Sequence, residues 1–506
     1  MPTSDFYIED AGFVPTDLDT DVNAWLTAVA PLHGTPRSTR ITLLHDLVAG
    51  LKADGIWSKL DRLWVFAQEL RAGALVDLVA RSAATAVSSP TFTPSVGFTG
   101  NGSSSYINTN FNPRTGSPHL TLNDAASSFW ITQRTDAAFG EGLYGQSDGS
   151  TTQMSAYSRG DGVWLNSVND NTGATPLQAS GLIISERIAS SGAGCLTYYV
   201  NDAKATTNIT SVGPMGNQPF FICALNGGAG SPSSFGRHTI SIAAFGSSFN
   251  DAEATNLYSR FSTYMGAVAA DNWVKTVGPS NVSTTRRTAV RTLIAGLMRD
   301  GVWGKLDRLW LFAAENQKSA LVDLVAGASA SRTGTLTFTT DRGFTGDGST
   351  GYINSNYDIG ALASQNDCSI HGWSLTAAQA ASTMLVGTNN LLKFTIQPRF
   401  TDDKVYYRES DTNSAAAANT DGSGMYTASR TGATTSTIYR NGSSIGSDAG
   451  SSGSPSSAGN LTAFFGSSTY WNGQSAMLAC GKGMTSTEAS NFYTRLRTYM
   501  TTVGVP

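Results

Sequence analysis

Residues 56–67 (IWSKLDRLWVFA) return at 302–313 (VWGKLDRLWLFA), identical at nine of twelve positions. Residues 98–111 (FTGNGSSSYINTNF) return at 344–357 (FTGDGSTGYINSNY), again 246 residues later. Towards the end of each copy, 250–265 (NDAEATNLYSRFSTYM) matches 485–500 (TSTEASNFYTRLRTYM), now at an offset of 235. A period this long marks duplication of a whole domain, not a solenoid. The offset shrinks while both ends are kept, so the copies differ by loop lengths on a common frame.

Within each copy the hydrophobic period changes once. In the first, Ser38 is placed to cap a helix whose apolar residues Ile41, Leu44, Leu47, Val48 and Leu51 share one face. Gly55 interrupts it, and a second helix is predicted from Trp57 with Leu60, Leu63, Trp64, Ala67 and Leu70. The second copy repeats this with Val290, Leu293, Ile294 and Leu297, then Trp303, Leu306, Leu309 and Trp310, so a helical hairpin is expected at the head of each copy. Trp57, Trp64, Trp303 and Trp310 are read as core. The period then becomes two. Short strands are predicted at 129–132, 162–165, 181–184, 196–200, 220–224, 239–245, 335–338 and 352–354, separated by Gly/Asn/Asp/Ser turns, which is sandwich spacing and not βαβ. Each copy closes with a helix that opens Asn250-x-x-Glu253 or Thr485-x-x-Glu488, the form of a capping box.

The expected organisation is therefore an N-terminal attachment arm (1–36), a helical hairpin (37–90) and a sandwich with its closing helix (91–268). A linker (269–283) leads to the second hairpin (284–333) and the second sandwich with its closing helix (334–506). Composition agrees with turn-rich β structure: 40 % hydrophobic, 53 Gly, and only 14 % charged residues, against roughly 25 % in an average soluble protein. The net charge of −4 and the lack of a Lys/Arg block exclude the footprint of a nucleic-acid binder. Residues 1–10 lack the basic and apolar regions of a secretory signal, and no run of apolar residues is long enough for membrane insertion. Cys480 stands where the first copy has Phe245, and the other cysteines, Cys195, Cys223 and Cys368, have no Cys counterpart. Buried free thiols are expected, not a disulfide framework.

Residues 343–354 (GFTGDGSTGYIN) resemble the opening strand pair of laminin-G-like, concanavalin A-like jelly rolls. Tyr439-Arg440-Asn441-Gly442 and Tyr199-Val200-Asn201-Asp202 resemble the later hairpin of that family. The preface Gly-Leu-x-x-Asp-Gly-x-Trp-x-Lys-Leu-Asp-Arg-Leu-Trp, at 50–64 and 296–310, resembles a segment that precedes such jelly rolls in structural proteins of tailed bacteriophages. The resemblance implies a mainly β fold of two tandem jelly rolls and a virion surface protein. Three roles are open: a tail fibre or receptor-binding protein that contacts host-surface polysaccharide, a head decoration without sugar recognition, and a polysaccharide-degrading enzyme. Expected partners are other virion proteins, reached through the N-terminal arm, and further copies of the chain in a homo-oligomer such as a trimer.

Chemistry is sparse. A glycosidase needs two carboxylates placed on one cleft, and Glu141, Glu186, Glu253, Glu315, Glu409 and Glu488 read as isolated. The five histidines (His33, His45, His119, His238 and His371) share no repeat position. No catalytic residues are assigned and no enzyme activity is expected. No cofactor is expected either: Ca²⁺ at Asp347-Gly348 or Asn101-Gly102 would have far fewer than the roughly six to eight oxygens required, and these pairs are also strong turn signals. The candidate ligand-binding residues are Trp164 and Tyr406, matched across the copies, with Asp161 and Asp403 three residues earlier. An aromatic ring stacks on a sugar while neighbouring polar groups bind hydroxyls.

Overall fold

The computed structural model describes residues 18–33, 38–133, 140–148, 153–159, 162–166, 181–192, 194–208, 215–228, 230–380, 383–411, 413–466 and 468–505. The chain divides into two units, Met1–Val268 and Ala269–Pro506. Each is mainly β, a sandwich of jelly-roll type with a layer of helices.

The second unit is the more completely described. Its first sheet runs, edge to edge, Leu336–Thr339, Gly343–Gly346, Gln474–Gly481, Cys368–Ser374, Gly424–Gly432, Thr435–Arg440 and Ser443–Asp448. Leu306–Leu311 pairs antiparallel with Gln474–Gly481 as an eighth strand. The second sheet runs Ser331–Thr333, Tyr352–Asp358, Asn460–Ala463, Val386–Thr388, Phe394–Gln397, Lys404–Glu409 and Ala415–Ala418. The first unit has the same order in its first sheet: Thr91–Thr93, Gly97–Thr99, Thr239–Gly246, Ala125–Gln133, Gly181–Arg187, Leu196–Val200 and Ala203–Thr207, with Leu60–Val65 on Thr239–Gly246. Its second sheet includes Thr85–Val87, Tyr106–Asn108, Phe221–Ile222, Glu141–Ser147, Gln153–Arg159 and Gly162–Asn166.

The helical hairpin expected at 37–90 and 284–333 is not formed. The first helix is present, as Ser38–Ala53 and Thr284–Arg299, but the LDRLW segment after it is a strand. The reason is that both faces of this strand are buried. Leu309 and Leu311 face the helices, in one core with Leu293, Leu297, Phe492 and Leu496. Trp310 and Phe312 face the other way, into the sandwich core with Ile353, Val386, Ile396 and Leu461. The partner strand Gln474–Gly481 alternates likewise, Met477 and Ala479 against the helices, Leu478 and Cys480 into the sandwich. A strand covered on both faces is apolar throughout and loses its period-two signature. Trp64 and Trp310 are core residues, on a strand and not on a helix, whereas Trp57 and Trp303 are only half-buried, in the short turn before it.

The arm and the linker are corrected together. Thr20–His33 is a helix, and its Trp25 is buried and donates its indole N–H to the Val76 carbonyl at 3.0 Å. In the second unit Trp273 does the same to Val322 at 3.0 Å. Trp273 lies in the long helix Asp251–Val277, whose final turns, with Val274 and Val277, belong to the second unit's core. Each unit thus carries a tryptophan-bearing helical segment ahead of its LDRLW strand. Among the described residues no helix is long and apolar enough to cross a membrane.

Local signals hold elsewhere. Thr485 and Glu488 form a complete capping box, and Asn250 and Glu253 exchange the same two bonds at 2.8 and 2.9 Å. Asn201 and Asn441 take left-handed backbone (φ 56° and 49°). Each closes its hairpin by accepting from Leu182 or Met425 at 3.0 or 2.9 Å. All four cysteines are buried.

Candidate functional site

Tyr406 lies on the strand Lys404–Glu409, whose residues alternate between core and surface: Val405 and Tyr407 point inward, Tyr406 outward and half-buried. The turn before it, residues 400–404, is closed by Asp403 in left-handed backbone (φ 59°) and by the Phe400 amide, which donates to the Lys404 carbonyl at 2.8 Å. Phe400 meets Tyr406 edge to face at 5.5 Å. The Tyr406 hydroxyl donates to Asp402 at 2.9 Å. Asp403 accepts from Gln379 at 2.6 Å and from Arg399 at 2.8 Å, which holds its carboxyl below the ordinary range. Asp403 therefore locks its own hairpin, and Tyr406 is the outward-facing group beside it. Trp164 lies on the strand Gly162–Asn166, in register with Tyr157. Asp161 lies outside the described residues.

A second aromatic surface is absent from the sequence reading. Tyr352, Phe465 and Tyr470 are all half-buried, with ring centroids 4.8, 4.9 and 6.3 Å apart. The first unit has a more deeply buried relative of this group, in which Tyr106 lies 4.4 Å from Phe221 and 6.2 Å from Phe235. Pairing places the two surfaces of the second unit in one frame. Ile353, Ala463, Val386, Ile396 and Tyr407 form one cross-strand row, every member buried. Tyr352 and Tyr406 each precede a terminal member of that row by one residue, so both turn to the outer face of the same sheet. Four strand spacings separate them, about 19 Å. The alternation at Tyr352-Ile353 is visible in the sequence. Phe465 and Tyr470 are not, because Phe464 interrupts their strand with φ 69° and turns inward.

The carboxylates are otherwise engaged. Asp347 accepts the amides of Ser349, Thr350 and Gly351 at 2.8–2.9 Å, and Asn101 accepts those of Ser103, Ser104 and Ser105 at 2.8–3.0 Å. These side chains build turns. Among the described residues no group of three or more His, Cys, Asp or Glu is placed to hold a metal ion. Glu409-Ser410-Asp411 is a carboxylate pair overlooked in the sequence. Burial pushes Glu409 up to about 8 against the opposing pull of Ser436 and Arg430, while Asp411 pairs with Arg430 at 3.2 Å. All three are buried, so Asp411 balances an interior cation and neither carboxyl faces a cleft. Asp61 and Asp307 are likewise structural, as are Arg62 and Arg308, which reach Asp77 and Asp323 at 4.0 and 3.8 Å. His371 is buried between Ser369 and Thr427, and burial lowers it to about 3. A groove of about 390 Å³ lies between Thr284–Arg299 and Ser486–Thr502, lined by Thr288, Thr292, Thr498 and Thr502 over Leu293 and Tyr499.

No family model and no curated protein matches this chain. Among solved structures it is similar to domain 4 of a GH43 extracellular arabinanase from Geobacillus stearothermophilus, solved with arabinotriose. That match has 14 % identity and a TM-score of 0.31, over 37 % of this chain and 98 % of the other. It is also similar to a Trypanosoma rangeli sialidase (8 % identity, TM-score 0.31, 69 % and 61 % covered). A third similarity is to a botulinum neurotoxin type C structure whose subject is interaction with two ganglioside molecules (14 % identity, TM-score 0.30, 38 % covered). There the chain spans about half of the toxin chain, 51 %.

Proposed function

We propose that this chain is a virion surface protein, of tail-fibre or receptor-binding type, that contacts host-surface glycans without cleaving them. The virion part rests on the resemblance of the repeated segments 50–64 and 296–310. The glycan part rests on one observation: the second sheet of the second unit turns two half-buried aromatic groups, around Tyr352 and around Tyr406, to the same outer face. A planar ring at each end and polar groups beside one of them (Arg399, Gln379, Asp402) suit stacking on sugar rings with hydroxyls bound alongside. Two contacts about 19 Å apart favour an extended polymer over a single sugar. The non-catalytic part is supported by the carboxylates: those with the largest upward shifts, Glu186 and Glu409, are sealed from solvent. Individual contacts of this kind are weak, and assembly into a homo-oligomer would add avidity.

Binding of the full chain to immobilised host capsule or lipopolysaccharide tests the proposal, with Tyr406→Ala and Tyr352→Ala in parallel. Each substitution is expected to weaken binding roughly tenfold or more, the loss of one stacking contact, with no reducing ends released by the unaltered protein. Unchanged binding in both variants, or glycan cleavage, rejects the glycan reading. Absence of the chain from purified particles, probed by antibody, rejects the virion reading.

A further inference from the structure

At matched places in the two units a buried arginine lies near the start of the helix before the first strand, Arg40 in Ser38–Ala53 and Arg286 in Thr284–Arg299. Two of their contacts are the same. Both donate through Nη1 to the carbonyl just past the following strand, Ala67 or Ala313, at 3.1 Å. Both also donate to a tyrosine hydroxyl, Tyr264 at 3.3 Å or Tyr499 at 2.8 Å.

The third contact differs. Arg286 Nη2 pairs with the carboxylate of Asp341. The residue matched to Asp341 is Ser95, in the same left-handed backbone (φ 64° against 61°). Ser95 Oγ accepts from Arg40 Nη2 at 2.9 Å. Arg40 is only 2 % exposed, yet among the described residues its acceptors are all neutral. Its Nε has no partner. The Ser95 amide donates to the backbone carbonyl of Gln68 at 2.7 Å. The first unit therefore has a hydroxyl where the second has a carboxylate.

A buried cation with no counter-charge among the described residues is strongly unfavourable unless something supplies the missing acceptor. We infer that Arg40 and Ser95 form a binding site for a small carboxylate, the group that Asp341 provides from within the chain in the second unit. Arg40 contributes the charge and the Nη2 and Nε donors, while the Ser95 hydroxyl adds a neutral donor. Phosphate is a poorer fit, because the matched group that completes the site in the second unit is a single carboxylate. Entry is over the Ser95 turn, where the neighbouring Pro94 is exposed. In the second unit the matched Asp341 side chain is 37 % exposed.

The test uses the full chain with acetate as the probe, at constant ionic strength with chloride as the balancing anion. Saturating acetate is expected to raise the Tm of the unaltered protein by roughly 2–6 °C. Ser95→Asp is expected to raise the Tm without acetate and to abolish the acetate response, because the charge is then supplied in cis. Asp341→Ser is expected to lower the Tm and to create a second acetate response. Saturation-transfer NMR on acetate reads binding directly in the unaltered protein, so the outcome does not depend on Ser95→Asp folding. No acetate-specific effect in the unaltered protein by either method, or an undiminished response in a folded Ser95→Asp, overturns the inference.

Discussion

The two units solve one packing problem in opposite ways. In the second unit Phe464 and Trp471 stack at 5.7 Å and fill the end of the sandwich core. In the first unit the same two backbone bonds are made by Cys223 and Gly236. Cys223 donates to the Leu143 carbonyl as Phe464 does to Leu385. Gly236 donates to Cys223 as Trp471 does to Phe464. Cys223 and Phe464 share left-handed backbone, at φ 63° and 69°. Where the second unit uses two rings, the first has a thiol, a glycine and, alongside them, Arg237 and His238 reaching Glu141. Burial pushes the Cys223 thiol up to about 12, so it is an inert filler. For Glu141, burial pulls upward, but the hydrogen bonds and charge of Arg237 win and hold it below its ordinary value. The backbone kink is common to both units, and the side chains that cover it are interchangeable between apolar and ionic sets.

The energies should differ. Trp471 is almost fully buried, and Trp471→Ala should cost about 3–5 kcal/mol, read as a lower urea midpoint of the full chain. A cost below about 1 kcal/mol would mean that the rings are not the main support of that end of the core. A second contrast concerns the buried acids. Glu186 is 0 % exposed, and its Oε1 accepts from the Phe249 amide at 2.9 Å. The matched residue in the second unit is Ser429, bound to Met484. Burial, opposed by the Phe249 bond, raises Glu186 from 4.5 to about 8. The folded state then holds a proton that the unfolded chain has released, so stability falls as pH rises from about 4.5 to about 8. The slope is at most about 1.4 kcal/mol per pH unit for each such group. Glu409 adds a like slope from the second unit. Glu186→Gln should remove the first unit's share, and pH-independent stability of the parent over that window would contradict the assignment. The smallest effect is expected at Glu141→Gln. The Arg237 side chain is 53 % exposed, so water replaces the lost charge and the cost should stay below about 1 kcal/mol at pH 7. A larger loss would show that the ionic cluster carries as much of the fold as the rings do.

Much of this architecture is legible without coordinates. The duplication, the turn at Asn441, the capping box at Thr485 and the change of period from helix to strand are local patterns, and local backbone preferences answer to them. The pairing of Trp164 with Tyr406 as one strand position is legible too, because Val precedes each. The Tyr352 surface is not, since two of its three rings come from residues 465 and 470, over a hundred positions away.

The sequence alone determined that there are two like units and that the strands belong to sandwiches. Tertiary structure decided that LDRLW is a strand between two cores, that Thr20–His33 packs as part of a unit through Trp25, and which aromatics face outward. The physical reason is the same in each case. An apolar residue says that it will be buried, while the layer that buries it, and from which side, is set by partners far along the chain.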